Sequence, residues 1–259
     1  MSRTWLFNSD QNGTDSINSI IAKNKDTLAV IEVGSYEKFD NISKDLLADI
    51  EPGDLVILDT ISMLADTTRT DYKLGTDMTK SYWKDKDRLV TDAVTRNIYG
   101  AAGALIMRRL KNFRSMGARI IVTAHERSGY DPNIPKSAKI RIPDVNDDLC
   151  KSLTGSSSLV CRLAINHDEV TDEEGNVLLA VGQRLLQIKP SEDYYTKVHM
   201  DLEDSFDLPD LITRPSTTKL AKTLGHDPAW ITCYAPPGAG KTTFALSHYL
   251  DPEGLGIGR

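Results

Sequence analysis

The chain has 259 residues, of which 40% are apolar and 26% charged, enough to bury one sizeable α/β core. No stretch of about 18 apolar residues occurs, so we expect no membrane-spanning helix. The formal net charge of −6 argues against a protein that coats nucleic acid with its whole surface, although local basic loops can still contact phosphates.

The cysteines, Cys150, Cys161 and Cys233, are widely spaced and form no CxxC pair. This spacing suggests neither a disulfide framework nor a zinc site. The first residues, MSRTWLFNSDQNGTDS, lack the charged-then-apolar layout of a secretory signal. We therefore expect a cytoplasmic protein in a reducing environment.

Short apolar segments alternate with helical segments, a pattern typical of a mostly parallel sheet flanked by helices. The predicted strands are 4–8, 27–33, 55–59, 118–124, 158–165, 184–189 and 230–234. The predicted helices are 37–49, 91–115 and 242–250. DLVILD and ARIIVTA are nearly all apolar, as expected of strands covered on both faces. The predicted fold class is α/β, in a single domain.

Two long segments, 65–86 and 127–155, are predicted to be irregular loops, which in compact domains tend to be functional or disordered. The second contains the basic sequence PKSAKIRIP and ends in TGSSS. The sequence TDEEGN, around 172–176, predicts a hairpin. The segment 208–228 predicts a short polar helix that leads into the last strand.

The most specific motif is APPGAGKTT at 235–243, between the apolar strand WITCY and the helical FALSHYL. It matches the phosphate-loop pattern G-x-x-x-x-G-K-[ST], with Ala235 in place of the first glycine. Gly238 and Gly240 let successive N–H groups turn into one concavity, toward which the following helix directs its positive end. Lys241 supplies a charge for the outer phosphates, and Thr242 supplies a hydroxyl for Mg²⁺.

This motif predicts that ATP binds with Mg²⁺. The predicted nucleotide-binding residues are Pro237, Gly238, Ala239, Gly240, Lys241, Thr242 and Thr243. The alternative is a glycine-rich turn that happens to contain Lys-Thr. The correct strand–loop–helix context on both sides favours the phosphate loop.

A phosphate loop needs a second carboxylate to hold the metal, and DLVILD places Asp59 at the end of a buried strand. Ligands gather at the carboxyl ends of strands in open α/β sheets, so Asp59 and Thr242 are the predicted metal ligands. The alternative role for Asp59 is to cap the next turn.

Three further polar residues follow predicted strands. His125 and Glu126 follow IIVTA, where a polar side chain could sense the γ-phosphate or orient the attacking water. Asp10 follows TWLFN and is a second candidate to activate water; a turn-forming role is the alternative. The sequence leaves the choice between Asp10 and Glu126 open.

The motifs APPGAGKTT, VILDTISML and IIVTAHE, followed by SLVCRLAI, resemble those of the small phage RecA-like ATPases. RLLQIKPSEDYYTKVHMDL resembles their C-terminal region. The resemblance implies a RecA-like core associated with single-strand annealing and recombination, in the host bacterial cytoplasm. It also implies a basic residue that reaches a neighbour's ATP. Lys197 is the nearest match, while His199 stands where a second basic residue is typical.

The resemblance covers most of the chain in rotated order, because the phosphate loop follows Asp59 instead of preceding it. We interpret this as a circular permutation, natural or engineered. A variant of the hypothesis is that the C-terminal strand and helix dock into a neighbouring subunit.

The leading functional hypothesis is a DNA-dependent ATPase that assembles as a homo-oligomeric ring or filament. Single-stranded DNA would bind loops near 65–90 and 127–157, through Tyr130, Lys136, Lys139 and Arg141. The alternatives are a hexameric translocase, such as a helicase or packaging motor, and a nucleotide-gated switch with little turnover. The loops could equally be solvated and unrelated to DNA.

Overall fold

A computed structural model describes residues 2–10, 17–73, 92–132, 134, 138–198, 211–213 and 215–249. The strands are β1 (Thr4–Asn8), β2 (Leu28–Glu32), β3 (Leu55–Asp59), β4 (Arg119–Gly129), β5 (Ile140–Pro143), β6 (Leu159–Ile165), β7 (Val170–Thr171), β8 (Val177–Leu179), β9 (Arg184–Gln187), β10 (Lys197–Val198), β11 (Leu211–Thr213) and β12 (Trp230–Ala235). The helices are α1 (Asn18–Lys23), α2 (Tyr36–Leu46), α3 (Ile61–Lys73), α4 (Asp92–Ser115), α5 (Asp147–Ser156), α6 (Thr217–Leu224) and α7 (Lys241–Ala245).

One large sheet carries the order β11-β9-β6-β12-β4-β3-β1-β2. The strands from β6 to β2 in this order are mutually parallel, whereas β9 and β11 are antiparallel to their neighbours. Strand β10 pairs with the beginning of β6, and β5 pairs with the end of β4. The predicted α/β class with a mostly parallel sheet is confirmed.

Helices cover both faces of the sheet, which explains why its central strands are apolar throughout. Every residue of β3 and of β12 is buried. Because side chains alternate along a strand, Val56 belongs to the buried cluster on one face, which also contains Leu110 of α4. Ile57 belongs to the cluster on the other face, which also contains Phe244 of α7. The phosphate-loop motif is therefore anchored by a strand in the middle of the sheet.

The seven predicted strands are all present, and β4 extends further than predicted, to Gly129. The predicted hairpin around 172–176 is confirmed by the antiparallel pairing of β7 with β8. The short helix predicted within 208–228 is α6, which begins where the Ser216 hydroxyl accepts from the Lys219 N–H. It ends at Gly225, whose φ of 74° suits glycine.

The prediction of two long irregular segments is wrong in part. Helix α3 continues through the first of them as far as Lys73, and residues 74–86 lie outside the described residues. The second contains the end of β4, all of β5 and all but the last residue of α5. Helix α5 is capped by the Asn146 side chain, which accepts from the Leu149 N–H at 2.8 Å, and it buries Leu149 and Leu153. That apolar spacing was the missed signal.

None of the helices in the described ranges combines the length and apolar character that a membrane span requires.

Candidate nucleotide-binding site

The phosphate loop leaves the end of β12 and turns into α7. Gly238 and Gly240 adopt φ angles of 76° and 91°, which residues other than glycine rarely adopt. Their backbone turns the loop so that Lys241 begins α7 directly after it. Ala235, at the position usually held by glycine, ends β12 as a fully buried residue.

Asp59 lies beside this loop, at the carboxyl end of β3. Its carboxylate accepts hydrogen bonds from the Thr242 hydroxyl, at 2.5 Å, and from the Thr123 hydroxyl. Asp59 is 1% exposed. Burial raises the pKa of its carboxyl above the usual range, although both hydroxyls and the Lys241 charge act in the opposite direction. The structure thus brings the two predicted metal ligands together.

Lys241 folds back over its own loop. Its Nζ donates to the Pro236 carbonyl at 3.2 Å and to the Ala235 carbonyl at 3.5 Å. Burial lowers the pKa of Lys241, although the charge of Asp59 acts in the opposite direction. The ammonium group is therefore held against the backbone carbonyls at the start of the loop.

His125 lies level with the loop, because it pairs with Ala235 across β4 and β12. Its backbone N–H donates to the Ser62 hydroxyl at 2.9 Å. Burial, together with the Lys241 charge, lowers the pKa of His125 and so favours the neutral ring. Its Nδ1 is buried and has no hydrogen-bond partner within the described part of the chain.

Glu126 is held by an arginine. Arg162 on β6 contacts the two carboxylate oxygens of Glu126 at 2.8 and 3.3 Å, and donates to Gln187 at 2.8 Å. Because Glu126 follows His125 directly in an extended strand, the two side chains point to opposite faces of the sheet. Glu126 thus lies on the face away from Thr123 and Asp59.

Asp10 lies just beyond the end of β1, half-buried, with its N–H donating to the Asn8 side chain at 3.2 Å. Strand β1 is the direct neighbour of β3, and Asn8 pairs with Asp59. The negative charge of Asp10 contributes to raising the pKa of Asp59. Asp10 and Asp59 therefore share one edge of the sheet.

Lys197 does not lie at the phosphate loop. It pairs with Val160 near the beginning of β6, and Val160 pairs in turn with Thr232 of β12. Thr232 lies three positions before Ala235, the residue from which the phosphate loop starts. The Nζ of Lys197 donates to the carbonyls of Thr154 and Gly155, at 3.1 and 3.4 Å. These contacts stabilise the end of α5. The predicted contact with a neighbour's nucleotide stays a prediction, and His199 lies outside the described residues.

Among the predicted nucleic-acid residues, Tyr130 follows the end of β4 and is 50% exposed. Lys139 precedes β5 and Arg141 lies within it, and both are exposed. Lys136 lies outside the described residues. Strands β4 and β5 form a hairpin that continues beyond the edge of the sheet at which the phosphate loop lies.

Three residues at the site were missed in the sequence. Thr123 is a polar residue within a buried apolar strand, two positions before His125 and thus on the same face, a signal that could have been found. Arg162 is the one charged residue in SLVCRLAI, a second detectable signal. Arg184 contacts the loop through a pairing of distant strands, for which the sequence offers no local sign.

A glycine-turned loop between a central strand and a helix, with its Lys-Thr beside a carboxylate on a neighbouring strand, defines a P-loop nucleoside-triphosphatase. The family model described as an AAA domain matches residues 2–199, and the chain belongs to this family. The protein is thus a P-loop ATPase. No curated protein matches the chain.

The residues present fit the magnesium ion that this family typically uses. Asp59 and Thr242 offer hard oxygen ligands, and the buried carboxylate of Asp59 accepts hydrogen bonds from the Thr123 and Thr242 hydroxyls. No group of three His, Cys, Asp or Glu side chains in the described ranges could hold a metal. Phosphate oxygens and water would therefore complete the coordination shell of the magnesium ion. When bound, Mg²⁺ neutralises charge on the β- and γ-phosphates.

Proposed function

We propose that this ATPase acts on single-stranded DNA as a homo-oligomer, in recombination or annealing of the phage RecA-like type. The observation that carries the proposal is the path of β4. This strand runs beside the phosphate-loop strand, passes His125 and Glu126, and continues into the hairpin with β5 that bears the exposed basic and aromatic residues.

The second strand of this hairpin contacts the phosphate-loop strand directly. The Tyr234 hydroxyl lies 2.6 Å from the Tyr195 carbonyl and 3.0 Å from the Arg141 carbonyl, so it is shared between the two, and Tyr234 immediately precedes Ala235 in β12. Glu126 pairs with Pro143 in the same hairpin. A ligand that shifts Arg141 would therefore disturb its hydrogen bond to Tyr234, in the strand that leads into the phosphate loop. This contact supplies a physical link between DNA binding and ATP turnover.

The chemistry of the hairpin suits a single strand. Lys139 and Arg141 are exposed cations for phosphates, and Tyr130 offers a face on which a base can stack. Lys136 adds a further basic residue in the sequence. Because backbone contacts are local, this patch is compatible with a net charge of −6.

We assign water activation to Asp10. Glu126 is already engaged by Arg162, and its side chain lies on the sheet face away from Asp59. Asp10 follows the strand that pairs with β3, at the edge where Asp59 and Thr242 meet. A carboxylate at that edge can accept a proton from the attacking water.

We also propose that the order of elements is a circular permutation relative to the family. The match ends at residue 199, before the phosphate loop at 235–243, yet β12 occupies the middle of the sheet. A rearranged gene tests this: it begins at residue 208, joins residue 259 to residue 1 through a flexible linker, and ends at residue 207. We expect this variant to fold and hydrolyse ATP. An unfolded product with linkers of several lengths would contradict the proposal.

The DNA proposal is tested by ATP turnover with and without single-stranded DNA at several salt concentrations. We expect stimulation by DNA, and loss of that stimulation in the double variant Lys139→Ala/Arg141→Ala. The slope of log DNA affinity against log salt is negative, and its magnitude should fall by about 1.4 in the double variant, since each lost single-strand contact changes it by about 0.7. Basal turnover without DNA should persist.

The matched control is Lys111→Ala/Arg114→Ala, at the end of α4. Because α4 leads into the beginning of β4, these two residues lie at the edge of the sheet opposite the phosphate loop and the hairpin. This control variant should retain full stimulation. Turnover indifferent to DNA across the salt range would refute the DNA proposal while leaving the ATPase intact. A monomeric mass during DNA-stimulated turnover would refute the oligomer.

A further inference from the structure

Arg184 contacts the phosphate loop from a distant strand. Its Nε donates to the Ala239 carbonyl at 3.0 Å. A Cβ added at Gly240 would lie 2.7 Å from that Nε, so the guanidinium lies directly across the backbone of the loop. Ala239 is fully buried, whereas Arg184 reaches it from an exposed position at the beginning of β9.

The backbone from which Arg184 projects is firmly held. Asn166, just after β6, accepts from the Gly182 N–H at 2.8 Å and donates its own N–H to the Gln183 carbonyl at 2.9 Å. Its side-chain amide donates to the Ala180 carbonyl at 2.9 Å. The turn before Arg184 is therefore tied to the carboxyl end of β6, and the arginine is directed at the loop.

The contact has a definite consequence for the loop. In a trans peptide the carbonyl and the following N–H point in opposite directions. Arg184 holds the Ala239 carbonyl on its own side of the loop, so the Gly240 N–H points away from Arg184. Phosphate binding in such loops depends on backbone N–H groups that converge on one concavity.

We propose that Arg184 is a positioning residue for nucleotide binding, which fixes the Ala239–Gly240 peptide so that the Gly240 N–H faces the β-phosphate of a nucleoside di- or triphosphate. It acts through the loop. The inference rests on the P-loop site and is independent of the proposed DNA function.

The test measures ATP and ADP affinity of the full chain, with Mg²⁺, for Arg184→Met, Arg184→Gln and Arg184→Lys. Methionine removes the donor, so both affinities should fall about tenfold, equivalent to about 1.4 kcal/mol. Glutamine and lysine each keep a donor that can reach the Ala239 carbonyl, so both should restore part of the loss. ATP and ADP should lose affinity by the same factor, because both place a β-phosphate in the loop.

Arg3→Met is the matched control, a half-buried arginine before β1 at the opposite edge of the sheet, with a side chain that is 43% exposed. It should bind both nucleotides as the wild type does. Wild-type affinity in Arg184→Met would overturn the proposal. A loss of affinity confined to ATP would also overturn it, because it would place the charge of Arg184 at the γ-phosphate. A failure of both glutamine and lysine to restore affinity would overturn it as well. A wild type that binds no nucleotide would refute the site itself instead.

Discussion

The hydroxyl of Thr242 donates a hydrogen bond to the carboxylate of Asp59 across 2.5 Å of space and 183 positions of sequence. This contact joins the phosphate loop to the strand end that carries the predicted acidic metal ligand. It forms within one chain, so the site needs no swapped neighbour to bring the loop to Asp59. The nucleotide chemistry of the molecule centres on this pair.

Asp59→Asn should reduce ATP turnover by at least about a hundredfold while nucleotide binding changes far less. The amide can still accept from Thr242, but it lacks the charge that would hold Mg²⁺ in the transition state. Single-turnover kinetics and nucleotide titration measure the two quantities separately. Equal losses in affinity and turnover would contradict a role for Asp59 in the transition state.

Lys241→Ala should weaken ATP binding about ten- to a hundredfold, as expected when a charged hydrogen-bonding contact is lost. The measurement is calorimetric or fluorescent titration with ATP. Lys111→Ala, an exposed lysine on α4, is the control and should bind normally. Undiminished ATP affinity in the Lys241 variant would show that this lysine does not contact the phosphates.

Local patterns predicted the strands and the loop well, because DLVILD and WITCY carry their own burial signal. The meeting of Asp59 with the loop also followed from a general rule, since ligands gather where parallel strands end. Contacts set by the register of distant strands were beyond reach. The Arg184–Ala239 contact depends on where β9 pairs with β6, and no local pattern encodes that pairing.

Thr123→Val should lower turnover about tenfold and raise the Mg²⁺ concentration needed for half-maximal activity. Valine keeps the shape but removes the hydroxyl that donates to Asp59, so a buried carboxylate oxygen loses its partner. Thr123→Ser keeps the hydroxyl and should retain most activity. Identical Mg²⁺ titrations for the valine and serine variants would show that Thr123 does not orient the metal ligand.

Asp10→Asn should abolish most turnover, by about a hundredfold or more, with ATP affinity retained. Glu126→Gln should lower basal turnover by less than about tenfold, because Arg162 already occupies that carboxylate. Phosphate release under saturating ATP measures both. The reverse ranking would assign water activation to Glu126 and would require Arg162 to leave it during the cycle.

Asp40→Asn should destabilise the fold by about 2 kcal/mol at pH 7, because it leaves the buried Arg109 without its anionic partner between α2 and α4. Burial opposes ionisation of Asp40, yet hydrogen bonds from Arg109, Lys44 and Tyr36 prevail and lower its pKa from 3.8 to about 2. Since folding lowers the pKa of Asp40, the unfolded chain binds more protons than the folded protein between about pH 4 and pH 2. The stability due to Asp40 is complete above about pH 4 and is lost as the pH falls through 2. Denaturant unfolding should therefore show a difference in free energy of unfolding between wild type and variant that is constant from pH 7 to 5 and shrinks toward pH 2. A difference of the same size at pH 2 would show that ionisation of Asp40 does not hold these helices together.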